Sequence, residues 1–308
     1  MIGIFGSNGF VGRHLVRRLS ADGVALRAVS RRHDDAFIAS IHGQVEFVQA
    51  DITDKLAMVS SLQDITTVVQ LVSTSSPGLK NDHMCTDIRE NVLPHVGFLR
   101  NCVNAGVERY IFLSSGGTVY GPGAAVPTPE SEATNPICSQ GLTKLFVEKY
   151  IQMHGHVEGL DYVILRLANA FGPGQEFRKG QGLVPAIISR YRKGLPVRIF
   201  GDGLARRDYV YIDDVVEAIL AAIDSHAASR QILNIGSGLS RSVNEVVDTI
   251  ESVTGIHFPR EHVEPRRTDV DVSQLDITKA MQLLKWSPRT SFRDGLQRTV
   301  HRAERTAD

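Results

Sequence analysis

Cysteine is scarce in this 308-residue chain: Cys85, Cys102 and Cys138 are the three. They form no CxxC pair and have no histidine cluster near them, so neither a disulfide framework nor a structural zinc site is expected, and no metal is assigned. An excess of one charge is also missing, since 34 Lys and Arg stand against 34 Asp and Glu. That balance argues against nucleic acid as a partner and leaves phosphate recognition to a few arginines around one ligand. Long apolar runs are absent too: nothing approaches the ~20 residues of a membrane span, and no charged-then-apolar leader is seen. A cytoplasmic protein without a membrane partner is expected. Internal repeats and low-complexity stretches are likewise missing.

What is present is alternation. Short β-branched runs ("IGIFG", "VALRAVS", "VEFVQAD", "TTVVQLVS", "RYIFLSS") are separated by segments of helical period such as "GFVGRHLVRRLSADG" and "VGFLRNCVNAG". Such runs, apolar without alternating polarity, predict parallel strands covered on both faces, hence an α/β fold with a doubly wound parallel sheet of Rossmann type. Strands "DYVILRLAN", "VRIFG", "YVYI" and "QILNIGSG" and helices "VPAIISRYRKG", "DDVVEAILAAIDS", "SVNEVVDTIESVTG" and "ITKAMQLLKW" follow. The expected division is a dinucleotide-binding domain over 1–165, with returns near 208–236, and a smaller mixed α/β substrate domain over 166–308. Loops rich in Gly and Pro near 116–136 and 171–186 would wall a cleft.

In "GIFGSNGFVGRHLVRRL", Gly6, Gly9 and Gly12 fall between the first strand and the first helix. Gly6 permits the tight turn, Gly9 lets backbone approach a pyrophosphate, and Gly12 lets helix pack on strand. Asn8, Phe10 and Val11 belong to the same turn, whose alternative reading is a glycine turn without a ligand. The second strand ends in Ser30-Arg31-Arg32, where an NAD site would show an acidic residue for the ribose 2′-hydroxyl. Two guanidiniums beside a small hydroxyl suit a 2′-phosphate. NADP is therefore slightly favoured over NAD, with a pair of solvated surface arginines as the alternative.

Taken together, "GSNGFVG", "ADITD", "LVSTSSP", "ENVLPHVGFLRNCVNAGV", "FLSSGGTVYG", "NPICSQGLTKLFVEKY", "RLANAFGPGQ", "RIFGDGLARRDYVYIDDVVEAI" and "NIGSG" resemble the extended short-chain dehydrogenase/reductases. Within them the chain is similar to the nucleotide-sugar epimerase/dehydratase family that includes UDP-glucose 4-epimerases. The resemblance implies adenine contacts at Asp51 and Ile52, a cofactor floor at Leu71, Val72 and Ser73, and further cofactor contacts at Asn91, Ser114 and Leu167. It implies a loop hydroxyl at Ser115 or Thr118 and a Tyr-x-x-x-Lys pair whose lysine, here Lys144, holds the cofactor ribose and lowers the phenol pKa. For the substrate it implies Thr118, and for the nucleotide diphosphate Asn169, Gly182, Leu183, Arg198, Phe200 and Arg207, with the Arg266/Asp269 pair. The helices "RENVLPHVGFLRNCVNAG" and "QGLTKLFVEKYIQMHG" resemble a four-helix interface, so a homodimer is expected.

Two positions depart from the pattern: the loop hydroxyl slot falls on Gly116, with Ser115 and Thr118 as neighbours that could substitute, and the tyrosine slot is changed as well. The tyrosine slot holds Gln140, and an amide neither ionises nor relays a proton as a phenol does. Three readings stay open: a substitution introduced to trap substrate, a natural change with the proton routed through Thr118, water or the sugar, and a catalytically silent binding protein. The expected function is C4 epimerisation of a UDP- or dTDP-hexose through a transient 4-keto sugar. The alternatives are an NADPH-dependent reductase of a 4-keto-6-deoxy nucleotide sugar and a nucleotide-sugar-binding protein impaired by Gln140. A dehydratase fits less well, because "SSGGTVYG" lacks the Asp-Glu pair of such enzymes. Precursors of cell-surface polysaccharides are the family's usual products.

Overall fold

The computed structural model describes residues 1–75, 84–177, 182–265 and 270–305. The chain opens with β1 (Ile2–Phe5), α1 (Phe10–Ala21), β2 (Leu26–Ser30), α2 (Asp35–Ala39), β3 (Val45–Gln49), α3 (Lys55–Ser61) and β4 (Thr67–Gln70). Then come α4 (Met84–Asp87), a π-helical turn (Ile88–Val92), α5 (Leu93–Asn104), β5 (Arg109–Ser115), α6 (Gly116–Val119), α7 (Ser139–Val157) and β6 (Asp161–Leu167). The remainder runs through β7 (Asn169–Phe171), α8 (Leu183–Arg192), β8 (Val197–Phe200), β9 (Arg206–Tyr211), α9 (Ile212–Asp224), β10 (Gln231–Ile235), β11 (Ser240–Ser242) and α10 (Val243–Thr254). It closes with β12 (Arg260–Val263), β13 (Val272–Ser273), α11 (Thr278–Leu284) and α12 (Phe292–Arg305).

Seven strands form one parallel sheet in the order β10-β6-β5-β4-β1-β2-β3. Successive residues of each strand feed opposite cores, as a sheet buried on both faces requires. Ile4, Val69, Ile111 and Leu165 pack on the side of α1 and α9 with Leu15, Val16 and Ile219. Phe5, Val68, Phe112 and Ile164 pack on the side of α3, α5 and α7 with Leu62, Phe98, Val147 and Ile151. The expected doubly wound α/β sheet is therefore present, and the strand order reverses between β1 and β4, where such sheets bind ligands at their carboxyl ends.

The shorter strands lie apart from this sheet. β9 pairs with β7, β11 and β13, while β8 pairs with β12. The run from 206 to 235 thus gives β9 to the small sheet and β10 to the large one, tying the two together.

Candidate active site

A cavity of about 350 Å³ opens at the carboxyl ends of β1 to β4 and is lined by Gly6, Gly9, Ser30, Arg31, Asp51 and Ile52, then by Leu71 to Thr74 and Glu90. Gly6 has φ +89° and donates its N–H to Val29, and a Cβ there would stand 3.0 Å from the Val72 nitrogen. At Gly12 a Cβ would be 2.3 Å from the Gly6 carbonyl, so α1 can start this close to the turn only without a side chain. The helix begins at Gly9 with no side-chain cap, leaving the first N–H groups, from Phe10, Val11 and Gly12, free for an anion. An uncapped helix start, a turn pressed against the β4 exit and a cavity of this size fit a dinucleotide.

At the far end of the cavity Arg31, 63% exposed, reaches to 3.8 Å from Asp51. Asp51 accepts hydrogen bonds from the Thr53 backbone and hydroxyl. Arg32 is exposed. Asn8 holds the Arg13 guanidinium, which also pairs with Asp34, and the Ser7 hydroxyl lies 3.2 Å from Nε2 of His33. His33 escaped the sequence reading: it follows the arginines but contacts a turn 26 residues earlier.

On the other side, Asn91 grips the exit of β4. Its Oδ1 accepts the Thr74 N–H at 2.9 Å and its Nδ2 donates to the Thr74 hydroxyl at 3.0 Å, while that hydroxyl donates to Glu90. Asn91 lies in the π-helical turn, a distortion frequent at functional sites, and its carbonyl accepts from Nδ1 of buried His95. Burial, then the Lys144 ammonium, pulls His95 down to about 4, so it is neutral. Sequence reading missed Thr74, Glu90 and His95, which reveal themselves only through contacts with residues distant in the chain.

Helix α7 carries two of the catalytic candidates, Gln140 and Lys144, and α6 with its N-cap carries the other two, Thr118 and Ser115. Lys144 is buried, donates from Nζ to the Leu113 carbonyl at 2.8 Å and stands 4.7 Å from the centre of the Phe112 ring. Burial pulls its pKa down to about 8, with the Glu148 carboxylate opposing. Gln140, one turn earlier, donates to the Ser75 carbonyl at 3.3 Å. Thr118 Oγ1 is buried with no hydrogen-bond partner among the described residues, which makes it a polar atom available to a ligand. Ser115 begins α6 without capping it. The Ser114 hydroxyl, expected at the cofactor, donates instead to Glu148, and Leu167 is buried at the end of β6.

The substrate-side residues are spread over the small sheet, the β8–β12 pair and the start of α8. Asn169 donates to the Asp208 carbonyl, and Arg207 donates to the carbonyls of Arg206 and Val270. Gly182, at φ +82°, is the residue before α8, which Leu183 starts; a Cβ on that glycine would meet Pro185 at 2.6 Å. Arg198 pairs with Glu261 across β8 and β12, and Phe200 is 37% exposed at the end of β8. Arg266 and Asp269 lie outside the described residues.

A doubly wound sheet with a cavity at its switch point that fits a dinucleotide, and a buried lysine on the helix beside it, mark the architecture of a dinucleotide-binding enzyme. The chain belongs to the NAD dependent epimerase/dehydratase family, whose profile matches residues 2–236. It is 32% identical over 302 residues to the UDP-glucose 4-epimerase of Mycolicibacterium smegmatis, covering 96% of each chain. The crystal structure of Thermotoga maritima UDP-glucose 4-epimerase with UDP-glucose superimposes with a TM-score of 0.93 at 33% identity, covering 100% of this chain and 99% of that one. The Thermus thermophilus UDP-glucose 4-epimerase complex with NAD gives 0.90 at 28% identity, covering 98% of each.

Proposed function

We propose that this protein is a nucleotide-sugar C4 epimerase that works on a UDP-hexose with a nicotinamide dinucleotide held in the cavity at β1 to β4. Residues 1–165, with the returns near 208–236, form the dinucleotide part of this reading, and 166–308 otherwise mainly the sugar-nucleotide part. The observation that carries it is Lys144, a buried cation on α7 placed at the carboxyl end of β5, alongside the uncapped glycine turn. The dinucleotide, when bound, supplies the acceptor and donor of hydride.

The chain's own residues then divide the work. The backbone of residues 10 to 12 takes the pyrophosphate, Lys144 holds the ribose hydroxyls, and Thr118 Oγ1 hydrogen-bonds the sugar hydroxyl that must lose its proton. Arg207, Arg198 and Asn169 are assigned to the substrate diphosphate, together with Arg266 and Asp269. Gln140 can orient the sugar but cannot accept a proton, so that proton leaves through Thr118 and water. Loss of a positioned general base costs about 10² to 10⁴ in rate, and slow turnover follows.

Arg31 at the cavity edge supports a 2′-phosphate and hence NADP, whereas NAD needs only the coarser fit; a 4-keto-sugar reductase using NADPH is the second reading that this arginine favours. A homodimer is supported by Leu142, Phe146, Met153 and Val157, exposed along one face of α7. No described helix is long and apolar enough to cross a membrane. The free thiol of exposed Cys85 supports a reducing, cytoplasmic setting.

The deciding experiment has two arms. Nucleotide released by denaturing the purified protein is identified by mass, and the protein is incubated with UDP-glucose, UDP-N-acetylglucosamine and a dTDP-4-keto sugar. Slow interconversion of the C4 epimers without net consumption of dinucleotide is expected. Net oxidation of NADPH by the keto sugar would replace this reading with the reductase, and binding without any conversion would replace it with the silent protein.

A further inference from the structure

On the sheet face covered by α7, the carboxyl end turns from apolar to polar. Inward residues of that face run Tyr110 and Phe112 on β5, Tyr162 and Ile164 on β6, and Ile232 on β10. The next inward positions are Ser114, Arg166 and Asn234, which are register neighbours across the three parallel strands. All three are buried.

Glu148 of α7, 0% exposed, closes this row. Arg166 donates from Nε to both its oxygens at 3.2 Å and from a terminal nitrogen to Oε2 at 2.7 Å, and the Ser114 hydroxyl donates to Oε1. The Arg166 guanidinium lies 4.8 Å from the centre of the Tyr120 ring. The Tyr120 hydroxyl donates to Asn234 at 2.7 Å, and the Asn234 amide donates to the carbonyls of Thr128 and Asp276. Buried ionic groups persist when hydrogen-bonded; here the Glu148 carboxylate takes three bonds from Arg166 and one from Ser114, while the other terminal nitrogen of Arg166 is buried with no partner among the described residues.

The row also fixes the helix. Lys144 donates to the carbonyl of Leu113, and one turn later Glu148 accepts from the hydroxyl of Ser114. Adjacent residues of β5 therefore grip adjacent turns of α7, so sliding or rotating the helix breaks both bonds. The ionisable surroundings of Lys144 are Glu148 on its own helix, His95 from α5, and, through Glu148, Arg166 on β6 and Tyr120 after α6; Asp87 of α4 faces the start of the helix at Cys138. The buried carboxylate is paired directly with Arg166, and it acts on Lys144, one turn earlier on the same helix, through space rather than through an ion pair.

We propose that Glu148 is a positioning residue for Lys144: held by Ser114 and Arg166, it locks α7 in register on β5 and supplies the counter-charge for the ammonium that meets the dinucleotide. This rests on the reading of Lys144 as the ribose-holding group. Removing Glu148 leaves Lys144 beside an unbalanced Arg166, whereas removing Arg166 frees the carboxylate for Lys144. The two changes therefore push the lysine in opposite directions, a signature that a merely structural pair does not have.

The test is NAD binding by calorimetry from about pH 6 to about pH 10, a span that brackets the lysine titration, with the thermal midpoint recorded for each variant. Glu148→Gln is expected to lower the alkaline midpoint of affinity by about one pH unit, as loss of a nearby opposite charge does. Glu148→Asp should return most of that shift, and Arg166→Met should raise the midpoint. Midpoints coinciding with the parent's in both Glu148→Gln and Arg166→Met, whatever their thermal stability, would overturn the proposal. Where Glu148→Gln does not fold, Arg166→Lys carries the test, because a single ammonium releases part of the carboxylate: a raised midpoint supports the proposal and an unmoved one overturns it. Lys144→Met separates the two readings: undiminished NAD binding by that variant defeats the assignment of Lys144, while lost binding with an unmoved Glu148→Gln midpoint defeats only the role of Glu148.

Discussion

Gln140 and Ser75 are joined by a hydrogen bond of 3.3 Å from the side-chain amide to the backbone carbonyl, linking the first turn of α7 to the segment leaving β4. A phenol at this position would face the same region with a titratable proton, and Lys144 one turn on would lower its pKa. Gln140→Tyr should therefore raise the epimerisation rate by about 10² to 10⁴, the range of a restored general base. The measurement is the rate of UDP-glucose to UDP-galactose conversion by NMR. Equal rates for parent and variant on every sugar nucleotide that binds would remove position 140 from the catalytic set.

Short-range requirements are legible in the amino-acid sequence itself. Gly12 falls where a Cβ would stand 2.3 Å from the Gly6 carbonyl and Gly6 takes a positive φ, while a Cβ on Gly9 would be a tight 3.2 Å from that same carbonyl; such needs are written in residue type alone. The alternation of apolar runs points to the parallel sheet for the same reason. Contacts between distant residues are not legible in this way. "DYVILRL" reads as an apolar strand, and nothing in it says that Arg166 meets Glu148 on α7 and Asn234 on β10. Ser114 is expected at the cofactor because its neighbours are, yet β5 turns alternate side chains to opposite faces and its hydroxyl goes to Glu148. His33 and Thr74 line up with their partners only once β2 and β4 flank β1.

The buried lysine sets a pH dependence. Its pKa in the ligand-free protein is drawn down to about 8 by burial. Below that value the ammonium is present and the ribose contact is intact; above it the bound state must take up a proton. Dinucleotide affinity should be flat below about pH 7 and fall by up to ~tenfold per pH unit above 8, the slope of one linked proton. Stability of the ligand-free protein runs the other way. A lysine with a lowered folded pKa opposes folding below 8 and ceases to do so as pH rises toward the unfolded value. Binding isotherms across this window check the first statement, and an affinity that rises with pH would contradict it.

Cofactor choice tests the arginines at the end of β2. Arg31 lines the cavity with its guanidinium largely in water, paired loosely with Asp51 at 3.8 Å. A 2′-phosphate offers it a charge-assisted fork, worth about 1.5–3 kcal/mol for a hydrogen bond to a charged group. Replacing both Arg31 and Arg32 by Ala should weaken NADP about tenfold or more while changing NAD little. Equal losses for the two dinucleotides would show that these arginines serve the general field of the site rather than the phosphate.

Gly141, directly after Gln140, sets the spacing between α7 and α6. A Cβ there would stand 2.5 Å from the Thr118 carbonyl and 2.8 Å from Pro136, so the two helices pack only through a missing side chain. This contact fixes how far Gln140 and Lys144 lie from Thr118, whose hydroxyl has no partner among the described residues. Gly141→Ala must push the helix start away, with an overpacking cost of about 1–3 kcal/mol. A fall of several degrees in the thermal midpoint is expected, and NAD affinity should drop with it because Lys144 moves on the same helix. The sharper measurement combines the variants. If proximity of position 140 to Thr118 matters for the proton route, the rate gained by Gln140→Tyr disappears in Gln140→Tyr/Gly141→Ala even at temperatures where that protein is fully folded. A gain that survives would mean the two elements tolerate separation, and that Thr118 takes no part in the transfer.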